Sequence, residues 1–127
     1  MADSPVFFKC NLCGKVIGEL APGAPETICC GEAMALLTAN TSDGAQEKHV
    51  PVVTRASDVL TVKIGAVTHP MISDHFIQWI YVRTKKGGQR RILTSGETPE
   101  ARFNVSEDEP VTVYEYCNLH GLWAIEV

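Results

Sequence analysis

Four of the chain's five cysteines crowd between residues 10 and 30, as Cys10-Asn-Leu-Cys13 and the adjacent pair Cys29-Cys30. A disulfide framework explains this clustering poorly. The count is odd, and a bridge between chain neighbours is strained: consecutive Cα atoms lie about 3.8 Å apart, whereas bridged ones favour roughly 5.5–6 Å. Metal ligation is the better account. Two thiolates separated by two residues grip one ion from a tight turn, and a second pair completes a tetrahedron suited to Zn²⁺ or to iron. The residue types alone do not choose between these metals. The adjacency of Cys29 and Cys30 should distort the tetrahedron, because neighbouring residues cannot both present sulfur at relaxed angles.

The segment holding these cysteines is too short to build a core. Chains below about 40 residues need a metal, disulfides or a partner subunit to fold. Val6 to Lys9 and Lys15 to Leu20 read as short strands around the Cys-containing turn, and Pro22, Gly23 and Pro25 make the next loop. Residues 1–36 contain no histidine, whereas residues 37–127 contain all four and the fifth cysteine. Two modules with these bounds are therefore expected, joined by the polar stretch Thr38 to Gly44, which reads as a linker.

The second module is written as strands. Leu60, Val62, Ile64 and Ala66 alternate with polar residues or glycine, as do Ala101, Phe103 and Val105, the period of a half-buried strand. Phe76 to Arg83, Val111 to Cys117 and Leu122 to Val127 are rich in β-branched and aromatic residues. Turn signals fall between them at Ser57-Asp58, Gly87-Gly88, Ser95-Gly96 and Glu109-Pro110. No amphipathic helix of useful length is evident. About seven short strands in ~90 residues predict a mainly β chain ending in an immunoglobulin-like antiparallel β-sandwich.

Composition limits the functions open to such a chain. A net charge of −4 argues against nucleic acid as a partner. The basic pairs Lys85-Lys86 and Arg90-Arg91 flank Gly87-Gly88 and read as a solvated hairpin tip. No apolar run approaches the ~18 residues of a membrane span, and Met1 to Pro5 lack a signal-peptide pattern. A cytoplasmic protein is the expectation.

The second module has its own ligand set: His49, His69, His75, Cys117 and His120. His49 sits in Glu47-Lys48-His49-Val50-Pro51 and His69 in His69-Pro70-Met71. His75 opens the run FIQWIYV, and Cys117 and His120 form a C-x-x-H pair in Cys117-Asn118-Leu119-His120-Gly121. All lie at expected strand ends or turns, where side chains from several segments converge. Four imidazoles and a thiolate exceed what tetrahedral zinc needs and fit a five-coordinate iron with one open position.

In combination these motifs resemble the two-domain superoxide reductases called desulfoferrodoxins, from Phe8 to Trp123. The resemblance implies a desulforedoxin-like module with an Fe(Cys)₄ centre on Cys10, Cys13, Cys29 and Cys30. It also implies an Fe(His)₄Cys centre with His49, His69, His75 and His120 equatorial and Cys117 axial. The implied reaction is one-electron reduction of superoxide to hydrogen peroxide without dioxygen. Glu47 would take the open position in the oxidised enzyme, and Lys48 would attract the substrate. A rubredoxin-like electron donor and a homodimer are implied as partners. Two other readings compete: a non-catalytic electron carrier and a zinc-stabilised binding module. The colour of the purified protein separates iron from zinc.

Overall fold

The computed structural model describes residues 6–23, 26–42 and 44–127. Pro25, expected in a loop, and Asp43, expected in the linker, lie outside them. The chain divides into two compact units, one ending at Thr38 and the other spanning Ala39–Val127.

In the first unit, β1 (Val6–Lys9) is the centre of a three-stranded sheet. It pairs antiparallel with β2 (Val16–Glu19) on one side and β5 (Ala35–Leu36) on the other. Between them, β3 (Ile28–Cys29) and β4 (Glu32–Ala33) form a tiny hairpin. Its two central residues, Cys30 and Gly31, have φ of 52° and 78°, the sign pattern of a type I′ turn. Only Phe7, Cys10 and Met34 are buried here among the described residues, so the unit has almost no apolar core to hold it.

The described residues of the second unit form one helical turn and seven strands. These are α1 (Gln46–His49), β6 (Pro51–Ala56), β7 (Val59–Ile64), β8 (Ile77–Thr84), β9 (Gly88–Ile92), β10 (Glu100–Asn104), β11 (Pro110–Cys117) and β12 (Gly121–Glu126). One sheet has the order β10-β7-β6 and the other β12-β11-β8-β9, with every neighbouring pair antiparallel. Their inner faces supply one core, including Leu60, Val62, Ile64, Ile77, Ile80, Phe103 and Val113. Truncating a fully buried residue such as Ile80 to alanine would cost about 2–5 kcal/mol.

Three expectations need correction. Ala66 is exposed rather than a continuation of β7, because Gly65 at φ +85° turns the chain as soon as Ile64 is buried. Arg90 and Arg91 belong to strand β9, opposite Tyr81 and Ile80, so only Lys85-Lys86 occupy the hairpin tip. The segment read as a linker is docked: Asn40 exchanges hydrogen bonds with β12, donating to the Leu122 and Ala124 carbonyls and accepting from the Ala124 amide.

Candidate metal centres

Cys10 opens a tight turn in which its carbonyl accepts from Gly14 and its sulfur from the Cys13 amide, at 2.9 and 3.5 Å. The β3–β4 hairpin brings the other pair opposite, with Cys13 Sγ 3.6 Å from Cys29 Sγ and Cys29 Sγ 4.0 Å from Cys30 Sγ. All four sulfurs lie within 4.8 Å of one another. Amide donation by Cys13 and then Leu12 pulls the Cys10 thiol down to about 6. Sharing hydrogen bonds with Cys10 and Cys13 pushes Cys29 up to about 12. Four sulfurs this close together form a set that a cation completes by displacing their protons. At the adjacent pair, Cys30 adopts a left-handed conformation rarely found outside glycine, asparagine and aspartate.

The second set gathers at one end of the sandwich. His49 comes from the end of α1, His69 and His75 from the connection between β7 and β8, and Cys117 and His120 from the β11–β12 turn. Donor atoms of His49, His69, His75 and Cys117 lie within 4.8 Å of one another. His120 completes the group, its Nδ1 3.9 Å from the Cys117 sulfur. The four rings close a square whose centroid sides are 4.7 Å (His49–His69), 4.8 Å (His69–His75), 5.1 Å (His75–His120) and 4.8 Å (His120–His49). Adjacent rings stand at 69° to 81°, like vanes around a hub.

Protonation follows from the outer partners. Nδ1 of His49 lies 2.8 Å from the Ala45 carbonyl and Nδ1 of His69 lies 2.6 Å from that of Pro70. A carbonyl only accepts, so each ring carries its proton on Nδ1 and turns a bare Nε2 inward. Those two Nε2 atoms face each other at 3.1 Å, and the buried Nε2 of His75 has no hydrogen-bond partner among the described residues. Lone pairs converging without a donor call for a cation between them. Burial, the largest influence, lowers the pKa of His49 and His75 and takes His69 down to about 4, which keeps these ligands neutral near pH 7. Burial raises the Cys117 thiol, opposed by the His120 and Leu119 amides that donate to its sulfur and would steady the thiolate beside a metal.

A β-bulge aims that sulfur. Tyr116 pairs with Trp79 but Cys117 pairs with Ile77, so Gln78 has no register partner on β11; its carbonyl accepts from the Leu93 amide. Glu47 and Lys48 stand exposed on α1 beside buried His49, and the Lys48 charge is felt at both His49 and His75.

Two family models match the chain: Desulfoferrodoxin, N-terminal domain, over residues 4–37, and Desulfoferrodoxin over residues 41–126. The chain belongs to the desulfoferrodoxin family. It is 48% identical over 126 residues to the desulfoferrodoxin of Syntrophotalea carbinolica, and 42% identical over 126 residues to that of Nitratidesulfovibrio vulgaris, with 99% of each chain covered in both cases. The crystal structure of the superoxide reductase from Treponema pallidum superposes with a TM-score of 0.81 at 35% identity, covering 97% of this chain and 99% of that one. The Cys₄ and His₄Cys sets accordingly fit the two iron centres of a desulfoferrodoxin.

Three residues that shape the second centre escaped the sequence reading. Trp123 stacks on His49, with centroids 5.0 Å apart and planes at 21°, and its Nε1 donates to the His120 carbonyl at 3.0 Å. The Ser42 hydroxyl donates to the same carbonyl. Asn118 binds the segment around His75. The C-N-L-H-G motif contained a signal for Asn118, since a polar residue between two ligands often orients them.

Proposed function

We propose that this desulfoferrodoxin is a superoxide reductase whose reaction takes place at the His₄Cys centre. One observation carries the reading: a square of four imidazoles beside the buried Cys117 sulfur, in a chain whose fold matches a superoxide reductase along nearly its whole length. His49, His69, His75, His120 and Cys117 would hold iron, which would supply the one electron that, with two protons, converts superoxide to hydrogen peroxide.

The chain's own residues prepare the site for that exchange. Neutral imidazoles leave the charge of a bound cation uncancelled except by the Cys117 thiolate, so the site attracts a small anion. The Ala45 and Pro70 carbonyls hold two of the rings in the tautomer that presents Nε2. Lys48 adds a positive charge at the exposed side of the site, offsetting the chain's overall acidity. Glu47 is the carboxylate we assign to the remaining ligand position in the oxidised form.

The Cys₄ centre is assigned electron transfer or a structural role in the module we bound at residues 1–36, with catalysis in residues 37–127. A rubredoxin-like donor in the cytoplasm would return the electron. A homodimer is supported by the first unit's thin core and by exposed Leu12, Ile28 and Leu36, which offer apolar surface to a second copy.

The test is stoichiometric. Reduced protein mixed with a known amount of superoxide should yield one hydrogen peroxide per superoxide and no dioxygen. Dioxygen formed in equal amount to peroxide would instead mark a dismutase. A colourless, zinc-loaded protein from iron-replete cells would sink the proposal outright.

A further inference from the structure

Gly65 follows β7 with φ +85°, and the space where a side chain would begin is filled by backbone of Val67 and of the turn that carries Glu47 and Lys48. A methyl group there would stand 2.6 Å from the Lys48 carbonyl oxygen and 2.8 Å from its carbon, and closer still to the Val67 carbonyl oxygen. No rotamer change relieves contacts with backbone atoms. Two hydrogen bonds flank this close approach. The Gly65 amide donates to the Val50 carbonyl at 3.3 Å, and the Val67 amide to the Glu47 carbonyl at 2.8 Å. Residues 65–67 therefore grip the backbone of the Glu47–Val50 turn at three points. The same connection delivers His69, whose amide donates to the Ile64 carbonyl at 3.4 Å.

From this geometry we infer that Gly65 is a positioning residue for the exposed Glu47–Lys48 pair, fixing how far their charges stand from the ring of ligands. The inference rests on the superoxide reductase reading for its functional consequence, but the clamp is a property of the backbone alone. A Cβ at position 65 would overlap both the Val67 carbonyl oxygen and the Lys48 carbonyl, so backbone must shift, and a shift at Lys48 moves the turn. Coulomb attraction between Lys48 and an anion near the ligands falls with distance. A retreat from ~6 to ~8 Å at an effective dielectric near 20 corresponds to an encounter about threefold slower.

The test compares Gly65→Ala with Gly96→Ala in the iron-loaded full chain. Gly96 has nearly the same φ, +89°, but nothing within 4 Å of its missing side chain, so it supplies the left-handed strain without the contact. Both variants should lose some thermal stability. Only Gly65→Ala should lose hydrogen-exchange protection at the Val67 amide, shift the visible band of the oxidised protein, and slow the reaction with superoxide about threefold with a weaker salt dependence. Equal protection, spectrum and salt dependence in the two variants would overturn the proposal. So would a Gly65→Ala chain that no longer folds, since the glycine would then serve the sandwich rather than the turn. Failure of the parent chain to reduce superoxide would overturn the functional reading, while the Val67 exchange rates would still decide the clamp.

Discussion

Asn118 and Phe76 are joined twice: the Phe76 amide donates to Asn118 Oδ1 at 2.9 Å, and the Asn118 amide donates to the Phe76 carbonyl at 3.2 Å. A third bond runs from Asn118 Nδ2 to the Asp74 carbonyl at 3.0 Å. Residues on either side of His75 are thus tied to the turn that bears Cys117 and His120. Asn118→Ala removes the two side-chain bonds and should lower stability by about 1–3 kcal/mol. Its second centre should also surrender iron to a chelator faster than the parent, while the Cys₄ centre keeps its rate. Asn118→Asp retains the acceptor and should fall between the two. Equal release rates for parent and alanine variant would remove Asn118 from the site's framework.

The nine ligands divide by module, and the metal content should divide with them. Intact protein should hold two irons per chain. Cys13→Ser should disturb the first centre alone, because Cys13 Sγ belongs to the Cys10, Cys13, Cys29 and Cys30 group of its own module. A fragment beginning near Leu37 should keep one iron and the capacity to reduce superoxide. A fragment that folds and binds iron yet leaves superoxide untouched would place catalysis outside the sandwich.

Lys48 is the exposed cation whose charge reaches His49 and His75. An ammonium ~6 Å from a bound anion is worth roughly 0.7 to 2.8 kcal/mol for effective dielectrics between 80 and 20. Lys48→Ile should therefore slow the second-order reaction about 3- to 100-fold and flatten its dependence on ionic strength, with both iron spectra intact. Stopped-flow rates at several salt concentrations measure this directly. A parental rate with parental salt dependence would return Lys48 to the solvated surface.

The pH response of the metal-free protein follows from His69. Its pKa falls from an ordinary 6.5 to about 4, chiefly through burial. Above pH 6.5 the ring is neutral in both folded and unfolded chains and contributes no pH dependence. Between 6.5 and about 4 the unfolded chain takes up a proton that the folded chain refuses, so stability declines as pH falls, by up to about 3 kcal/mol. Urea midpoints of the metal-free chain should drop across this window. Bound metal competes with the proton for the ring, so the loaded protein should hold its midpoint to lower pH. A flat profile from pH 7 to 4 in the metal-free chain would contradict the burial of this imidazole.

Glu115 lies fully buried on β11, both carboxylate oxygens lacking a hydrogen-bond partner among the described residues, and burial holds its pKa well above the usual carboxylate range. A neutral carboxyl in an apolar core costs free energy that a thioether of similar length does not. Glu115→Met should raise stability by about 1–3 kcal/mol in urea unfolding with no change in metal content. Destabilisation by a similar amount would show that the carboxyl has a partner of its own in solution.

Much of the sandwich was legible because period-2 alternation reports which face is buried. Leu60, Val62 and Ile64 on β7, and Ala101, Phe103 and Val105 around β10, are all inward as their spacing demands. The alternation misled at Ala66, where a glycine's backbone outranks the pattern, and β9 was obscured because an edge strand of glycine, glutamine and arginines buries almost nothing. The ligands were legible as chemistry, since Cys and His at turns have few other uses. Their supports were not. Ala45 and Pro70 act through carbonyls that every residue possesses, Gly65 acts through an atom it lacks, and Trp123 reads as an ordinary core aromatic until the fold lays it on His49. Glu115 sits among β-forming residues at a position whose inward direction only the sheet register reveals.

Trp123 carries one more consequence. Its indole lies face to face with a ligand ring, whereas the chain's other tryptophan, Trp79, stacks on Tyr116 at 5.7 Å. An excited indole in contact with the imidazole of a redox-active ion loses its energy before it can emit. The protein should therefore glow faintly when the second centre is filled and brighten as it empties, with Trp79 as a steadier background. It comes with its own optical gauge of occupancy, readable in a dilute sample without any added dye.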